Sequence, residues 1–266
     1  MKNKILGFAL AESPRRTGYI ATNFGQNSRL LRSAGFTLAE VLITIGVIGV
    51  VAAMTIPTLI ANINAQRFRS QFKKSISTLN QAGRMAQAQY GFDFGDIKAQ
   101  YGDGMGSCET QNPEQIKTIC SLFNGTLTGK TYLDSNYYDA ELKAMNYGYY
   151  TEGYQYQLSD GSIVFFSAGP ANCSISVGES IKELIDSTGD RRDCFGWIDV
   201  NGTSKPNKEV SCSDGTDTML ANDENYKDCV VKNDANHLTD IYPIVYHDTT
   251  VEPASNAARY VLSTAK

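Results

Sequence analysis

The stretch from Phe36 to Ile60 constrains the fold most, because it holds 25 residues and only one of them, Glu40, is charged. A helix of that length rises about 37 Å, which is enough to cross a bilayer core of about 30 Å. Within lipid a backbone satisfies its polar groups only as a helix or a closed barrel, so the many β-branched residues here do not oppose a helix. The sequence therefore predicts a transmembrane helix over residues 36–60 with one carboxylate where charge is costly.

Two interpretations of Glu40 are open. In the simpler one the segment is an ordinary single-pass anchor, and the carboxylate lies near one end and reaches toward the head groups. In the other, the run GFTLAE from Gly35 to Glu40 forms a motif with the apolar stretch. This run resembles the N-terminal signature of type IV pilins and of the pseudopilins of type II secretion, where a small residue precedes a methylated Phe and a Thr-Leu-x-Glu run. Pro57 fits the resemblance, because it is the twenty-second residue counted from Phe36 and many pilins carry a proline there.

The resemblance implies how the chain is processed and assembled. A membrane-bound prepilin peptidase would cut between Gly35 and Phe36 and methylate the new amine of Phe36. The Glu40 carboxylate of one subunit would then meet the Phe36 amine of a neighbour and set the axial stagger, because pairing offsets much of the penalty for each charge in lipid. Pro57 removes a backbone donor, so a kink or local melting of the helix is expected near it.

Residues 1–35 form the basic leader that this cut would remove, with six Lys or Arg against one acid. Since the whole chain has a formal charge of −4, the mature protein would be near −9. A basic N-terminal flank predicts that this end stays cytoplasmic and that the C-terminal part is exported across the bacterial inner membrane. An ordinary secretory signal is cut after its apolar run, whereas here the helix would remain in the mature chain. The leader is longer than many in the resembling family, which leaves open an upstream start-codon error or a subclass with long leaders.

The helical pattern continues over residues 61–91 after the polarity changes. Apolar residues recur at mostly three- and four-residue steps, at Ile63, Phe68, Phe72, Ile76, Leu79, Ala86 and Tyr90. The basic residues of this segment are expected off that stripe, at Arg67, Arg69, Lys73, Lys74 and Arg84. Gly91 is a suitable helix stop. The pattern predicts that one helix leaves the bilayer and lays its apolar stripe on a globular domain, with a break near Asn62–Asn64 as the alternative.

Residues 92–266 form the predicted exported domain, and their length is sufficient for one core. Tyr154–Leu158 and Ile163–Phe166 flank Asp160-Gly161, which predicts a β-hairpin. A weaker hairpin signal is Trp197–Val200 followed by Asn201-Gly202, and Ile241–Tyr246 is predicted as an edge strand because Pro243 cannot donate within a ladder. A short helix is expected at Pro113–Phe123, capped by Asn112 and ended by Gly125. The predicted fold class is α+β, a long N-terminal helix packed on an antiparallel sheet, which is also the architecture that the pilin resemblance implies.

All six cysteines lie in the predicted exported domain, at Cys108, Cys120, Cys173, Cys194, Cys212 and Cys229. An even number in an oxidising compartment favours disulfides, and fifteen connectivities are possible. Pairing in chain order gives loops of modest length and is the prediction, with partly or wholly free thiols as the alternative. No CxxC pair occurs, so zinc-ribbon or thioredoxin chemistry has little support.

The sequence gives little sign of a catalytic or metal site. The two histidines, His237 and His247, lack a zinc or hydrolase motif and are expected to be ordinary surface or turn residues. No cofactor is expected, and the one alternative is calcium, which some major pseudopilins hold in a comparable loop. Its candidate oxygen ligands are Asp199, Asn201, Asp214 and Asp217, although Asx-rich runs of this kind more often form turns. Nucleic-acid binding is not expected, because the mature chain is acidic and shows no basic stripe.

These features predict a structural pilin-like subunit, a pseudopilin or minor pilin of a type IV filament or type II secretion machine, rather than an enzyme. Its partners would be other pilin-like subunits, the prepilin peptidase and an inner-membrane assembly platform. The competing function is a membrane-anchored adhesin or ligand-binding protein that uses the helix only for export and display. The tyrosines between Tyr132 and Tyr156 would line such a binding face, or they would fill sheet surfaces instead.

Overall fold

The computed structural model describes residues 35–98, 107–133, 153–167, 172–176, 194–214, 229–232 and 237–264. The chain divides into two compact units, Met1–Val47 and Ile48–Lys266. Helix α1 spans Leu38–Tyr90 with Pro57 inside it. It is unbroken at residues 62–64, so the alternative of two separate helices is wrong. Gly91 ends it with φ +69°, as predicted.

The remaining elements are short. In chain order they are a 3₁₀ turn at Cys108–Thr110, α2 at Ile119–Thr126, β1 at Thr131–Leu133, β2 at Gly153–Gln157, β3 at Ile163–Ser167, β4 at Phe195–Asp199, β5 at Ile241–His247, β6 at Thr250–Pro253 and α3 at Asn256–Ser263. Within the described residues the strands form one antiparallel sheet in the order β1-β2-β3-β4-β5-β6. The predicted α+β class, a long N-terminal helix followed by an antiparallel sheet, is confirmed.

The hairpin predicted around Asp160-Gly161 is present. β2 and β3 pair in a register that places Tyr154 opposite Phe166. Gly161 has φ +88°, a conformation that glycine adopts without strain, and Asp160 Oδ1 accepts hydrogen bonds from the backbone and side chain of Ser162 at 3.2 and 2.6 Å. Local turn chemistry was therefore enough to locate this hairpin.

Two strand predictions need correction. β4 occupies the Trp197–Val200 region, but the turn at Gly202 does not close a hairpin, since β4 pairs with β3 and β5. β5 is an inner strand between β4 and β6 and not the predicted edge. The carbonyl of Pro243 accepts from Ala254 N at 2.9 Å, so its nitrogen also faces the β6 side, where the β5–β6 ladder has ended one residue earlier. Proline is tolerated there because it removes no bond to β4.

The predicted helix at Pro113–Phe123 begins later than expected, as α2. Thr118 Oγ1 accepts from Ser121 N at 3.1 Å, and Ser121 Oγ accepts from Thr118 N at 3.0 Å, which is a capping box. Asn112 instead stabilises a preceding turn by accepting from Glu114 N at 3.0 Å. The hydroxyl pair therefore starts this helix, and the proline does not.

The helix α1 docks through most of its predicted stripe. The residues Phe68, Phe72, Ile76, Leu79 and Ala86 are buried in one core with the sheet. Phe72 stacks on Tyr242 with ring centroids 4.3 Å apart. Ile63 was expected on the stripe but is 55% exposed, and Arg69 was expected off it but is buried. Gly83 permits a close approach, because a Cβ there would lie 2.7 Å from the Phe94 ring.

Three disulfides join Cys108 to Cys120, Cys173 to Cys194 and Cys212 to Cys229, which are the pairs that chain order predicts. The sequence separations are 12, 21 and 17 residues. The first disulfide holds the 3₁₀ turn against α2, and the second holds residues 172–176 at the start of β4. Of the three, the second disulfide therefore ties a segment without regular structure to the sheet.

One polar contact fixes α1 on β6 and gives a testable stability prediction. Asn80 Oδ1 accepts from Val251 N at 2.5 Å, and Asn80 Nδ2 donates to Val251 O at 3.2 Å. Asn80→Ala leaves both buried backbone groups without this partner, so we expect a loss of about 1–3 kcal/mol in the free energy of unfolding. Denaturant unfolding of the full chain in micelles measures it, and Gln87→Ala, an exposed change on the same helix, is the control. Equal stability of the Asn80 variant and the wild type would contradict the role of this contact.

Candidate processing and assembly site

The predicted cleavage position lies in open surroundings. Phe36 is 85% exposed, and a Cβ placed on Gly35 would meet no atom of the described residues within 4 Å. The packing of the part of the chain that the structure describes therefore sets no requirement for glycine at position 35. A requirement for a small residue there would come from an enzyme that recognises the bond.

The beginning of α1 is a capping box that sequence reasoning missed. Glu40 Oε2 accepts from Thr37 N at 2.8 Å and from Thr37 Oγ1 at 2.9 Å, and Thr37 Oγ1 accepts from Glu40 N at 3.2 Å. The signal was present in the sequence, because Thr-x-x-Glu before an apolar run is a helix-start pattern. Glu40 therefore has a local role as well as the assembly role that the resemblance implies.

The segment that follows is apolar and uncovered. Every large apolar side chain between Phe36 and Ile60 is between 43 and 85% exposed. The most apolar 18 residues of α1 have a mean hydropathy of 2.2, and by length and composition the helix is able to cross a membrane. Water is an unfavourable neighbour for so much apolar surface, so this segment needs lipid or other protein chains around it.

Comparison with known proteins identifies this region. Residues 30–56 match the family model of the prokaryotic N-terminal methylation motif. The chain carries the signature of type IV pilins and pseudopilins. The match includes the Gly35–Phe36 bond and Glu40, and the pilin-like signature is joined to an α+β arrangement that fits a pilin-like fold. No curated protein and no solved structure matches the chain.

Most of the basic side chains of α1 beyond residue 60 contact other residues of the same compact unit. Lys74 Nζ pairs with Asp160 Oδ2 at 3.1 Å, on the turn between β2 and β3. Lys73 Nζ donates to Thr264 O at 3.2 Å, just after α3. Ser75 is fully buried, and its Oγ lies 3.2 Å from Ser162 Oγ. These contacts join the polar flank of α1 to the β2–β3 turn and to the end of α3.

The structure describes three of the four calcium-ligand candidates. Asp199 is fully buried, and its Oδ1 accepts from Asn201 N at 3.1 Å, as in an Asx turn. Asp214 ends a described segment, and Asp217 lies outside the described residues. Among the residues that the structure describes, no group of three or more His, Cys, Asp or Glu side chains forms a potential metal site. Calcium binding therefore stays an untested alternative to the expected absence of a cofactor.

A buried acid that sequence reasoning missed holds the loop after β4. The Asp240 carboxylate accepts from Asn207 N at 2.9 Å and from Lys208 N at 2.7 Å. Burial raises the pKa of Asp240 more than these hydrogen bonds lower it. No local sequence pattern predicts this role of Asp240, because its partners lie more than 30 residues away along the chain.

His247 is not the ordinary surface or turn residue expected, although His237 is exposed. It ends β5 with a side chain only 12% exposed, 3.1 Å from Asp248 Oδ2 and 3.3 Å from Glu252 Oε1. Burial lowers the pKa of His247, but the two carboxylates outweigh it and the net shift is upward. The hydrogen bond from His247 lowers the pKa of Glu252.

This network predicts a pH-dependent stability. Because the folded-state pKa of His247 is raised, its contribution is complete below the ordinary value near 6.5 and is lost as pH rises through the folded pKa. The Glu252 contribution is lost as pH falls below about 4.5, so the pair stabilises most between these limits. We expect the difference in Tm between the wild type and His247→Gln to be larger near pH 6 than near pH 9. Glu252→Gln is the matched variant and should reduce this pH dependence without removing it, because Asp248 still pairs with His247. A Tm difference independent of pH would contradict the pairing.

The open position of Gly35 gives a prediction about processing. We expect Gly35→Val to leave the Tm unchanged, because a Cβ at this position meets none of the described residues, but to block cleavage by the peptidase that the motif implies. Intact-mass measurement of the membrane-bound chain should show methylated Phe36 as the N-terminus of the wild type and the uncut leader in the variant. Gly46→Ala, which also places its Cβ in open space, is the control and should be cut normally. Normal cutting of Gly35→Val would disprove this processing site.

Proposed function

We propose that the protein is a structural pilin-like subunit, a pseudopilin or minor pilin of a type IV filament or type II secretion machine. One observation carries the proposal: the methylation motif at residues 30–56 coincides with a helical segment whose large apolar side chains are all exposed. Because the protein buries none of these side chains itself, lipid can cover them in the bilayer, and the helices of neighbouring subunits can cover them in an assembly. The 175-residue, disulfide-bearing domain favours a specialised subunit over a major pilin.

In this proposal residues 1–35 are a cytoplasmic leader, residues 36–60 cross the inner membrane, and residues 61–91 continue the helix into the exported domain of residues 92–266. Charge close to the span does not by itself decide this orientation, since residues 61–80 carry four basic residues and no acid. The position of the motif supports it, because a peptidase that cuts before the apolar helix must reach the N-terminal side. The disulfides of the domain agree with export to an oxidising compartment.

Assembly would use the cut amine of Phe36 and the carboxylate of Glu40. Both hydrogen bonds to Thr37 use Oε2 of Glu40, and a carboxylate has acceptor positions on both oxygens. Glu40 can therefore keep capping its own helix while Oε1 accepts the amine of a neighbouring subunit. In a low-dielectric surrounding, such a charged pair favours one axial position of the neighbour over the alternatives.

The subunit would have no chemistry of its own, and its partners would be other pilin-like subunits, the prepilin peptidase and an assembly platform in the inner membrane. The alternative of an adhesin or ligand-binding protein finds less support. Tyr156 is buried, and Tyr132 and Tyr154 contact its ring or that of Phe166 in the core, so these tyrosines fill the sheet surface. The tyrosines between residues 137 and 150 lie outside the described residues.

The capping box allows a test that separates charge from helix capping. Glu40→Gln keeps an oxygen that accepts from Thr37 N but loses the charge, whereas Thr37→Val loses the hydroxyl and keeps the charge. We expect Glu40→Gln to be cut and methylated normally and to be at least about tenfold depleted from cross-linked multimers in membranes, since removing one partner of a desolvated pair is severely unfavourable. Thr37→Val should assemble at close to the wild-type level.

Quantitative cross-linking with a tag on the exported domain, in cells that encode the rest of the machine, measures this incorporation. Normal assembly of Glu40→Gln would exclude the proposed pairing. Absence of multimers from the wild-type chain, together with an uncut N-terminus, would exclude the proposed function itself.

A further inference from the structure

A polar groove opens between α1 and the loops at one end of the sheet. Its volume is about 510 Å³. One wall is α1, through Asn64, Arg67 and Gln71, and the other comprises the turn after β2 and the loop over residues 200–205. Neither the motif nor the proposed assembly of subunits through Glu40 accounts for this groove.

The groove carries uncompensated positive charge. Arg67 and Lys205 are both exposed on its walls. Neither forms an ion pair with any residue that the structure describes. Asp160, the acid among the lining residues, is already paired with Lys74 at 3.1 Å. A bound anion would therefore meet two cations and no unpaired lining carboxylate.

The position along α1 relates the groove to the bilayer. Ile60, the last residue of the apolar stretch, and all the groove residues lie in the same compact unit. Asn64 is about 6 Å farther along the helix axis than Ile60, and Arg67 about 10 Å. Helical side chains point back toward the N-terminus, so the guanidinium of Arg67 is carried toward the bilayer. The head-group layer extends about 5–8 Å beyond the hydrocarbon on each side, so Asn64 and the backward-pointing side chain of Arg67 lie at its level. From there the groove runs along α1 away from the bilayer, toward Gln71.

The domain itself reaches this level. Ala61 and Ala65 are buried, so the unit covers one side of α1 from the first residue after the apolar stretch, while Ile63 on another side is exposed. The end of the groove nearest the bilayer would thus lie in the head-group layer whenever residues 36–60 cross the bilayer. An occupant that is present there at high local concentration is a phospholipid head group.

Two wall residues add a preference among head groups. The amide oxygens of Gln71 and Asn201 are buried and have no hydrogen-bond partner among the described residues. Asn201 Nδ2 donates to Lys205 O at 3.2 Å, which fixes which end of that amide is the acceptor. Unsatisfied acceptors gain from a ligand that brings donors, provided that the side chains turn toward it. A head group with hydroxyls supplies such donors, and choline does not.

We infer that this groove binds the head group of an anionic, hydroxyl-bearing phospholipid, phosphatidylglycerol, with its phosphate between Arg67 and Lys205. The inference rests on the proposed crossing of the membrane by residues 36–60. The bound lipid would hold the domain at the outer face of the bilayer before the subunit joins an assembly.

Native mass spectrometry of the full chain, released from nanodiscs of equal phosphatidylglycerol and phosphatidylcholine, tests the inference. We expect retained phosphatidylglycerol to exceed phosphatidylcholine, and the double variant Arg67→Gln, Lys205→Gln to retain about tenfold less of it, because two surface cations each contribute to anionic-lipid affinity. The double variant Arg84→Gln, Lys208→Gln makes the same change in charge outside the groove and should retain lipid as the wild type does. Since all four side chains are exposed, unchanged Tm values are expected and are measured for both.

Three outcomes would overturn the inference. They are equal retention of the two lipids by the wild type, equal loss in both double variants, and full displacement of lipid by millimolar glycerol phosphate, which would indicate a site for a free anion. The measurement needs neither peptidase nor filament. A chain that retains phosphatidylglycerol but is never cut at Gly35–Phe36 would disprove the proposed function alone, and the reverse result would disprove the lipid site alone.

Discussion

The packing of α1 on one face of the sheet is the contact on which the rest of the C-terminal domain depends. Phe72 stacks on Tyr242 at the centre of this contact, and each fully buried side chain of this size contributes about 1.5–3 kcal/mol. Asn80 fixes where α1 lies along the sheet, because its side chain bonds the backbone of β6 at Val251. Apolar burial alone would tolerate sliding of the helix, whereas the paired polar contacts fix its position along the sheet.

The two parts of α1 differ in the surface that they expose. Before residue 61 it presents apolar side chains on all sides, and the capping box of Thr37 and Glu40 satisfies the first turn. After residue 61 only one side is apolar and is covered by the sheet, while most cations contact the domain. Arg67 differs from these, because it lies at the polarity boundary and faces a groove instead of a carboxylate. The proposed processing, assembly and lipid contact would therefore all involve residues of a single helix.

Local patterns in the sequence predicted the features that depend on near neighbours. The hairpin at Asp160-Gly161, the helix stop at Gly91 and the apolar stripe of α1 each follow from the conformation or spacing of adjacent residues. Prediction failed where the pairing of strands decides the outcome. Pro243 lies in an inner strand because the β5–β6 ladder ends beside it, and His247 is partly buried because the β5–β6 hairpin brings Glu252 to it. Neither the inner position of Pro243 nor the pairing of His247 with Glu252 can be predicted from the sequence, since strand pairing depends on the register of the whole sheet.

The sequence by itself determined the membrane-length helix, its methylation motif and the α+β class, because apolar length, a contiguous motif and alternating strands are properties of neighbouring residues. Only the tertiary structure decided which charges of α1 are paired within the domain and which line the groove. Lys74 and Arg67 look alike in the sequence, but one meets Asp160 and the other meets open space. The physical reason is that an ion pair or a groove is made by surfaces far apart in the chain, and their apposition exists only after the sheet has packed on the helix.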